Sequence, residues 1–150
     1  MNIKNYRGPG TILTLTEHSV RTTELRIFEL AESLADYVPR QDAERLRQAF
    51  VDNNVEVREL TNLTQFPAFT GVKNFDKHWS ARHVPTHIYK SAREFLVYDD
   101  VVACYWVDDG EEYGYELHDQ HLADVVRGFF DQLWGGAAWL EHQDGLYKIV

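Results

Sequence analysis

The sequence predicts an α/β domain on a mixed central sheet, in which a parallel βααβ unit is followed by an antiparallel meander and helices pack on the faces of the sheet. Three observations predict it. Two amphipathic stretches with three- and four-residue apolar spacing lie between two short β-branched runs near the amino terminus. Three strand-like runs follow from Glu94, separated only by tight turns, and a third amphipathic stretch comes after them.

Taken in order, Gly8-Pro9-Gly10 punctuates the chain, and the alternation in Thr11-Ile12-Leu13-Thr14-Leu15-Thr16 predicts a first strand. Thr22 or Thr23 then caps a helix whose apolar stripe is Ile27, Phe28, Ala31, Leu34, Ala35 and Val38. Pro39 opens a second helix with Ala43, Leu46, Ala49 and Phe50 inward, and Asn53-Asn54 ends it, since asparagine tolerates a left-handed backbone. A strand from Val55 to Leu60 completes a crossover that favours a parallel pair. Thr61 to Arg93 has weak periodicity and predicts loops around a short helical turn near Asp76–Trp79.

From Glu94 the pattern sharpens. Glu94–Tyr98 and Val101–Val107 predict two strands joined at Asp99-Asp100, and Asp108-Asp109-Gly110 turns the chain into a third over Glu112–Leu117. Asp119 caps a helix from Gln120 to Trp134, stopped by Gly135-Gly136. The stretch 137–150 carries Trp139, Leu140, Leu146, Tyr147, Ile149 and Val150, an apolar extension that predicts an added strand or a dimer surface. No linker composition interrupts the chain, so residues 1–150 are expected to form one domain.

A net charge of −9 predicts a surface that repels phosphate backbones. The basic run Lys73, Lys77, Arg82, Lys90 and Arg93 is broken by Asp76 and followed by Glu94, Asp99 and Asp100, so the expectation is no direct nucleic-acid contact and no membrane surface. Cys104 is the single cysteine and sits in an apolar run, which predicts an inert buried thiol and excludes an internal disulfide. The amino terminus lacks the apolar core of a signal peptide, and the expected location is cytoplasmic.

The segments Val57-Arg58-Glu59-Leu60-Thr61-Asn62, Arg82-His83-Val84-Pro85, Glu94-Phe95-Leu96-Val97-Tyr98-Asp99-Asp100-Val101-Val102-Ala103, Leu122-Ala123-Asp124 and Phe130-Asp131-Gln132-Leu133-Trp134 resemble, in pattern and order, the phospholipase D-like domain. The similarity is to its non-catalytic form in sugar-sensing archaeal transcription regulators of the TrmB type. Active members use His-x-Lys-x4-Asp, in which a histidine attacks phosphorus, the lysine holds phosphate oxygens and the aspartate orients the histidine. With Asp99 as that aspartate, Ala92 stands at the histidine position and Glu94 at the lysine position, and none of the seven histidines has a lysine two residues on. The resemblance therefore implies a ligand-sensing or dimerising domain, without the helix-turn-helix that precedes it in those regulators and without a catalytic residue.

For the site itself, dense aromatics in the second half suggest a small-molecule pocket. The candidate ligand-binding residues are Arg58, Arg82, His83, Arg93, Tyr98, Asp99 and Trp106, the arginines serving as anchors for an anionic group. The pairs His83/His87 and His118/His121 have helical metal-ligand spacing, but Pro85 and a strand-to-helix junction argue against helical pairs, so no metal or cofactor is implied. Acidic residues at the two hairpin turns read as solvated. The expected function is a non-catalytic regulatory or ligand-sensing domain that binds a small metabolite or a protein as a homodimer. One alternative is a hydrolase or transferase built on His83, His87 and Asp76; another is a plain protein-interaction subunit.

Overall fold

The computed structural model describes residues 1–29 and 37–150. Their strands form one sheet of ten: β1 (Asn2–Arg7), β2 (Glu24–Glu29), β3 (Glu56–Thr61), β4 (Gln65–Pro67), β5 (Trp79–His83), β6 (Glu94–Tyr98), β7 (Val101–Asp108), β8 (Glu111–His118), β9 (Ala138–Gln143) and β10 (Leu146–Ile149). The spatial order is β1-β8-β7-β6-β2-β3-β5-β9-β10-β4. Only β2/β3 and β3/β5 are parallel among the pairs; the others are antiparallel. The mixed α/β architecture expected from the sequence is present.

Helices α1 (Thr11–His18) and α2 (Arg40–Asp52) cover one face, where Ile12, Leu15 and Phe50 pack on Leu25, Val57, Ala81, Leu96 and Ala103. Helix α3 (Gln120–Gly136) covers the other, with Phe130 and Trp134 on Phe28 and Leu60, and Ala123 on Val97 and Val102. Period-two alternation along β7 sends Val101, Ala103 and Tyr105 toward α1 and α2 and Val102 toward α3, as strand geometry requires.

Two expectations are corrected. Thr11–Thr16 is the start of α1 rather than a strand. Left-handed Gly8 and Gly10 turn the chain out of β1, and the carboxylate of buried Glu112 accepts from the backbone N–H of Gly10 (3.0 Å) and Ile12 (3.1 Å). That cap comes from a strand distant in sequence, while the helix has no acidic residue in its own first turn. The run 24–29 is a strand, not the first turns of a helix. Leu25 faces α1 and α2, while Arg26 and Phe28 face α3; a strand buried on both sides loses its alternation and mimics helical spacing. Ala31, Leu34 and Ala35 of that expected stripe lie outside the described residues.

The second helix, its left-handed Asn54 ending and the strand after it are present as expected, but the parallel partner of β3 is β2 and not the Thr11–Thr16 run. Within Thr61–Arg93 a 3-10 turn occupies Phe75–Lys77, and β4 and β5 are strands where loops were expected. The meander β6-β7-β8 forms in register, turning at left-handed Asp99 and again at Asp109-Gly110, and Asp119 caps α3 by accepting from Leu122 N–H at 3.1 Å. The extension 137–150 is the hairpin β9-β10, which joins the sheet beside β5 and buries Leu140.

Candidate functional site

Two polar constellations sit on the α1/α2 face, at opposite ends of the sheet. At the end where β2 and β3 finish and β6 begins, Glu29, Glu59 and Glu94 come from three neighbouring strands. Glu94 is only 9% exposed, and Tyr105, its cross-strand partner on β7, donates its hydroxyl to Oε1 at 2.5 Å. Burial, reinforced by the charge of Glu29, pushes the Glu94 carboxyl up to about 8, against the Tyr105 hydrogen bond that favours its anion. Burial also raises Glu59 well above the carboxylate range, and the Glu29 carboxyl lies near enough to share a proton with it, while Trp79 Nε1 donates to Glu59 at 3.0 Å. No lysine, arginine or histidine among the described residues pairs with any of the three. Glu94 keeps its proton at neutral pH, and with no cation among the described residues paired to any of the three the cluster offers an oxyanion no counter-charge.

At the other end, Glu116 on β8 is 3% exposed and gathers partners from four elements. Tyr6 donates at 2.6 Å, His18 Nδ1 lies at 2.8 Å, Tyr98 donates at 3.5 Å and His118 Nε2 is 3.6 Å away. Burial raises the Glu116 carboxyl, but the hydrogen bonds from Tyr6 and His18 outweigh it and hold the group below its usual range. Burial and the same contact push the Tyr6 hydroxyl up to about 12. The constellation floors an open cleft of about 650 Å³, walled by α1, α2, β1 and β8 and lined also by Lys4, Glu17, Arg21, Arg45 and Leu46.

The seven candidate residues do not form one site. Tyr98 borders the Glu116 cleft. Asp99, whose Oδ1 accepts from Thr22, borders a second cleft of about 440 Å³ with Glu24, Gln120 and Arg127. Arg58 and Arg82 lie on the α3 face: Arg58 pairs with Glu56, and Arg82 is stacked between Trp134 and Trp139 at 4.5 and 3.8 Å and donates to the Trp134 carbonyl at 2.6 Å. Burial, with Arg58 nearby, lowers the Arg82 guanidinium. Arg93 lies 3.8 Å over the Trp106 ring on the α3 side of β7, and His83 is tied to the Leu63 carbonyl at 3.1 Å. Sequence reasoning missed Glu116, His18, Tyr6, Glu59 and Lys4.

Asp76 lies before β5 and His83 at its end, so a strand of roughly 15 Å separates the proposed acid and base. His87 is exposed. No group of three or more metal-ligating side chains converges among the described residues, and no helix among them is long and apolar enough to cross a membrane.

Neither a protein-family model nor a curated protein matches the sequence. Solved structures with the same fold include the archaeal chromatin protein TrmBL2, whose structure is described as showing a novel mode of DNA binding, with a TM-score of 0.54 and 15% identity over 91% of this chain. This chain spans 54% of that protein. Nuc from Salmonella typhimurium, a phospholipase D family member, aligns with a TM-score of 0.63 and 10% identity over 94% of this chain and 99% of its own. NucT from Helicobacter pylori aligns with a TM-score of 0.52 and 10% identity over 91% of this chain and 98% of its own. The fold is phospholipase D-like.

These neighbours correct the expectation of no direct nucleic-acid contact, because a DNA-binding chromatin protein carries this fold. The expectation rested on net charge, which is an average over the whole surface and does not fix the charge of any one patch.

Proposed function

We propose that this chain is a non-catalytic regulatory or ligand-sensing domain on the phospholipase D-like fold. The observation that carries the reading is Glu94. The sequence resemblance places it where a phosphate-holding lysine would stand, and there it is buried, raised to about 8 and flanked by Glu29 and Glu59. A phosphodiester brought to this end meets carboxyl groups instead of cations, and Ala92 offers no nucleophile. The test is hydrolysis of bis(p-nitrophenyl) phosphate and of single- and double-stranded DNA by the purified chain. No turnover above a buffer blank is expected, and turnover that persists through repurification overturns the reading, whether or not Glu94→Gln abolishes it. The same reading has the chain self-associating through exposed Val125 and Phe129 of α3 or the exposed Trp139 and Ile149 of the tail hairpin, which light scattering checks.

A second reading, nucleic-acid binding, is favoured by one surface. Arg93 covers Trp106, Trp106 stacks on Tyr113 with centroids 5.6 Å apart, Arg7 covers Tyr113 at 5.0 Å, and Tyr115 meets Trp106 edge-on. Alternating rings and guanidinium groups are the means by which single strands are held without sequence preference. Fluorescence anisotropy of a labelled oligothymidylate decides it: binding that weakens with salt and with Trp106→Ala supports this reading, and none at low salt removes it.

A further inference from the structure

The Glu116 cleft lies at the far end of β6 from Glu94, which the resemblance places at the phosphate-holding lysine position. Its lining runs against the charge of the whole molecule. In a chain of net charge −9, three cations, Lys4, Arg21 and Arg45, face it against two carboxylates, Glu17 and Glu116. Arg45 is committed to Glu17 at 2.6 Å, and Glu116 is the floor to which Tyr6 and His18 are bonded. Among the described residues, Lys4 and Arg21 form no ion pair.

His18 stands beside them with its side chain 43% exposed. The carboxylate fixes a proton on Nδ1 and leaves Nε2 as the ring nitrogen available to the cleft. His118 Nε2, at the cleft floor, is buried without a hydrogen-bond partner. Two uncommitted cations, an oriented imidazole and an unsatisfied ring nitrogen around one cavity are the parts of an oxyanion site.

We propose that this cleft binds a small molecule through a phosphate-type oxyanion, with Lys4 and Arg21 pairing with its charge and His18 Nε2 exchanging a hydrogen bond with it. The two unpaired cations, Lys4 and Arg21, match a doubly charged group better than a singly charged one. The proposal rests on the ligand-sensing reading and names the class of ligand that reading leaves open.

The test follows the imidazole resonances of the intact chain by NMR while glycerol 3-phosphate, inorganic phosphate or glycerol is added at matched ionic strength, with melting temperature measured in parallel. The expected result is saturable movement of the His18 and His118 signals with glycerol 3-phosphate but not with glycerol, while His83 and His142 stay fixed. Inorganic phosphate acting equally well places all recognition in the oxyanion and supports the same site. Arg21→Ala and Lys4→Ala, both surface changes, are expected to weaken binding roughly tenfold each, the loss of one charge-assisted contact. Binding that raises the melting temperature while His18 and His118 stay fixed overturns the cleft but leaves ligand sensing standing. Silence in both measurements overturns the cleft, and a wider ligand panel without any melting shift then removes the sensing reading as well.

Discussion

Glu94→Gln separates a buried proton-holding carboxyl from an ordinary one. In the unfolded chain a glutamate titrates near 4.5, and in the fold burial and Glu29 carry Glu94 to about 8. A folded-state value above the unfolded one means that the native state binds the proton more tightly. Its stabilising contribution is therefore complete below about pH 4.5 and is lost as pH rises through 8. A shift from 4.5 to about 8, at about 1.4 kcal/mol per unit, corresponds to a loss on the order of 5 kcal/mol across that window. Glutamine keeps an oxygen for the Tyr105 hydroxyl and cannot ionise, so the variant escapes this loss.

Thermal or urea unfolding at half-unit steps from about pH 5 to 9 reads the effect. The wild type is expected to lose stability steadily toward about pH 8. The variant is expected to follow a flatter profile, to match the wild type within about 1 kcal/mol at about pH 5, and to exceed it by a few kcal/mol at about pH 8.5. Glu59, also raised, keeps some slope in the variant, which sets the two profiles apart by degree rather than abolishing one. Glu44, Glu111 and Glu116 are lowered, so their contributions are lost on the acid side and do not fall in this window. Parallel profiles across the whole range refute the argument, because they show that Glu94 ionises in the fold as freely as in the unfolded chain.

Gly114→Ala is expected to destabilise by about 2 kcal/mol in urea unfolding, since the new methyl collides with Leu15 Cδ1 and stands 3.0 Å from the Cys104 carbonyl where α1 seats on the sheet. Glu112→Ala removes the acceptor for two N–H groups at the start of α1 and is expected to remove about 1–2 kcal/mol, with amide exchange quickening first in α1. Asp131→Asn breaks the pair that holds buried Arg26 at 2.8 Å. The aspartate is half exposed and Glu24 remains at 3.3 Å, so about 1 kcal/mol in chemical unfolding is expected instead of the several that a fully buried pair would lose.

The stretch from Glu94 to Gly136 is legible in the sequence because each of its signals is local. Its turns carry Asp-Asp and Asp-Gly, its cap is Asp119, and its helix shows its apolar stripe. Helix α1 is not legible, since its cap is the Glu112 side chain and its seat is Gly114, both on a strand far along the chain. Strand β5 has weak strand propensity and takes its conformation from pairing with β3 and β9. The Glu116 cleft has the same character, with Lys4, His18, Tyr98 and His118 scattered over the sequence. One signal is present: the period-two alternation of a strand puts Glu112, Gly114 and Glu116 on one face of β8, the face that the helices bury. Two carboxylates on a buried face must each find partners, and they are the cap of α1 and the hub of the cleft.

The two constellations share β6. Glu94 opens that strand and Tyr98 closes it, on the same face and about 13 Å apart. The side chain between them on that face is Leu96, fully buried and apolar, so no hydrogen-bond relay joins the carboxyl cluster to Glu116 through the strand. Perturbations at sites this far apart with no shared partner add within a few tenths of a kcal/mol. Glu94→Gln should therefore change stability with pH while leaving anion binding at the cleft unaltered, and Arg21→Ala should do the reverse. A ligand seated between α1, α2 and the β1/β8 edge would instead tie those elements to one another, and protection from amide exchange gained in α1 and β1 on binding would mark them as the route by which occupancy is read out. Coupling between the two variants larger than additivity allows would mean that the sheet transmits strain along β6, and the separation of a proton-holding end from a ligand-holding end would fail.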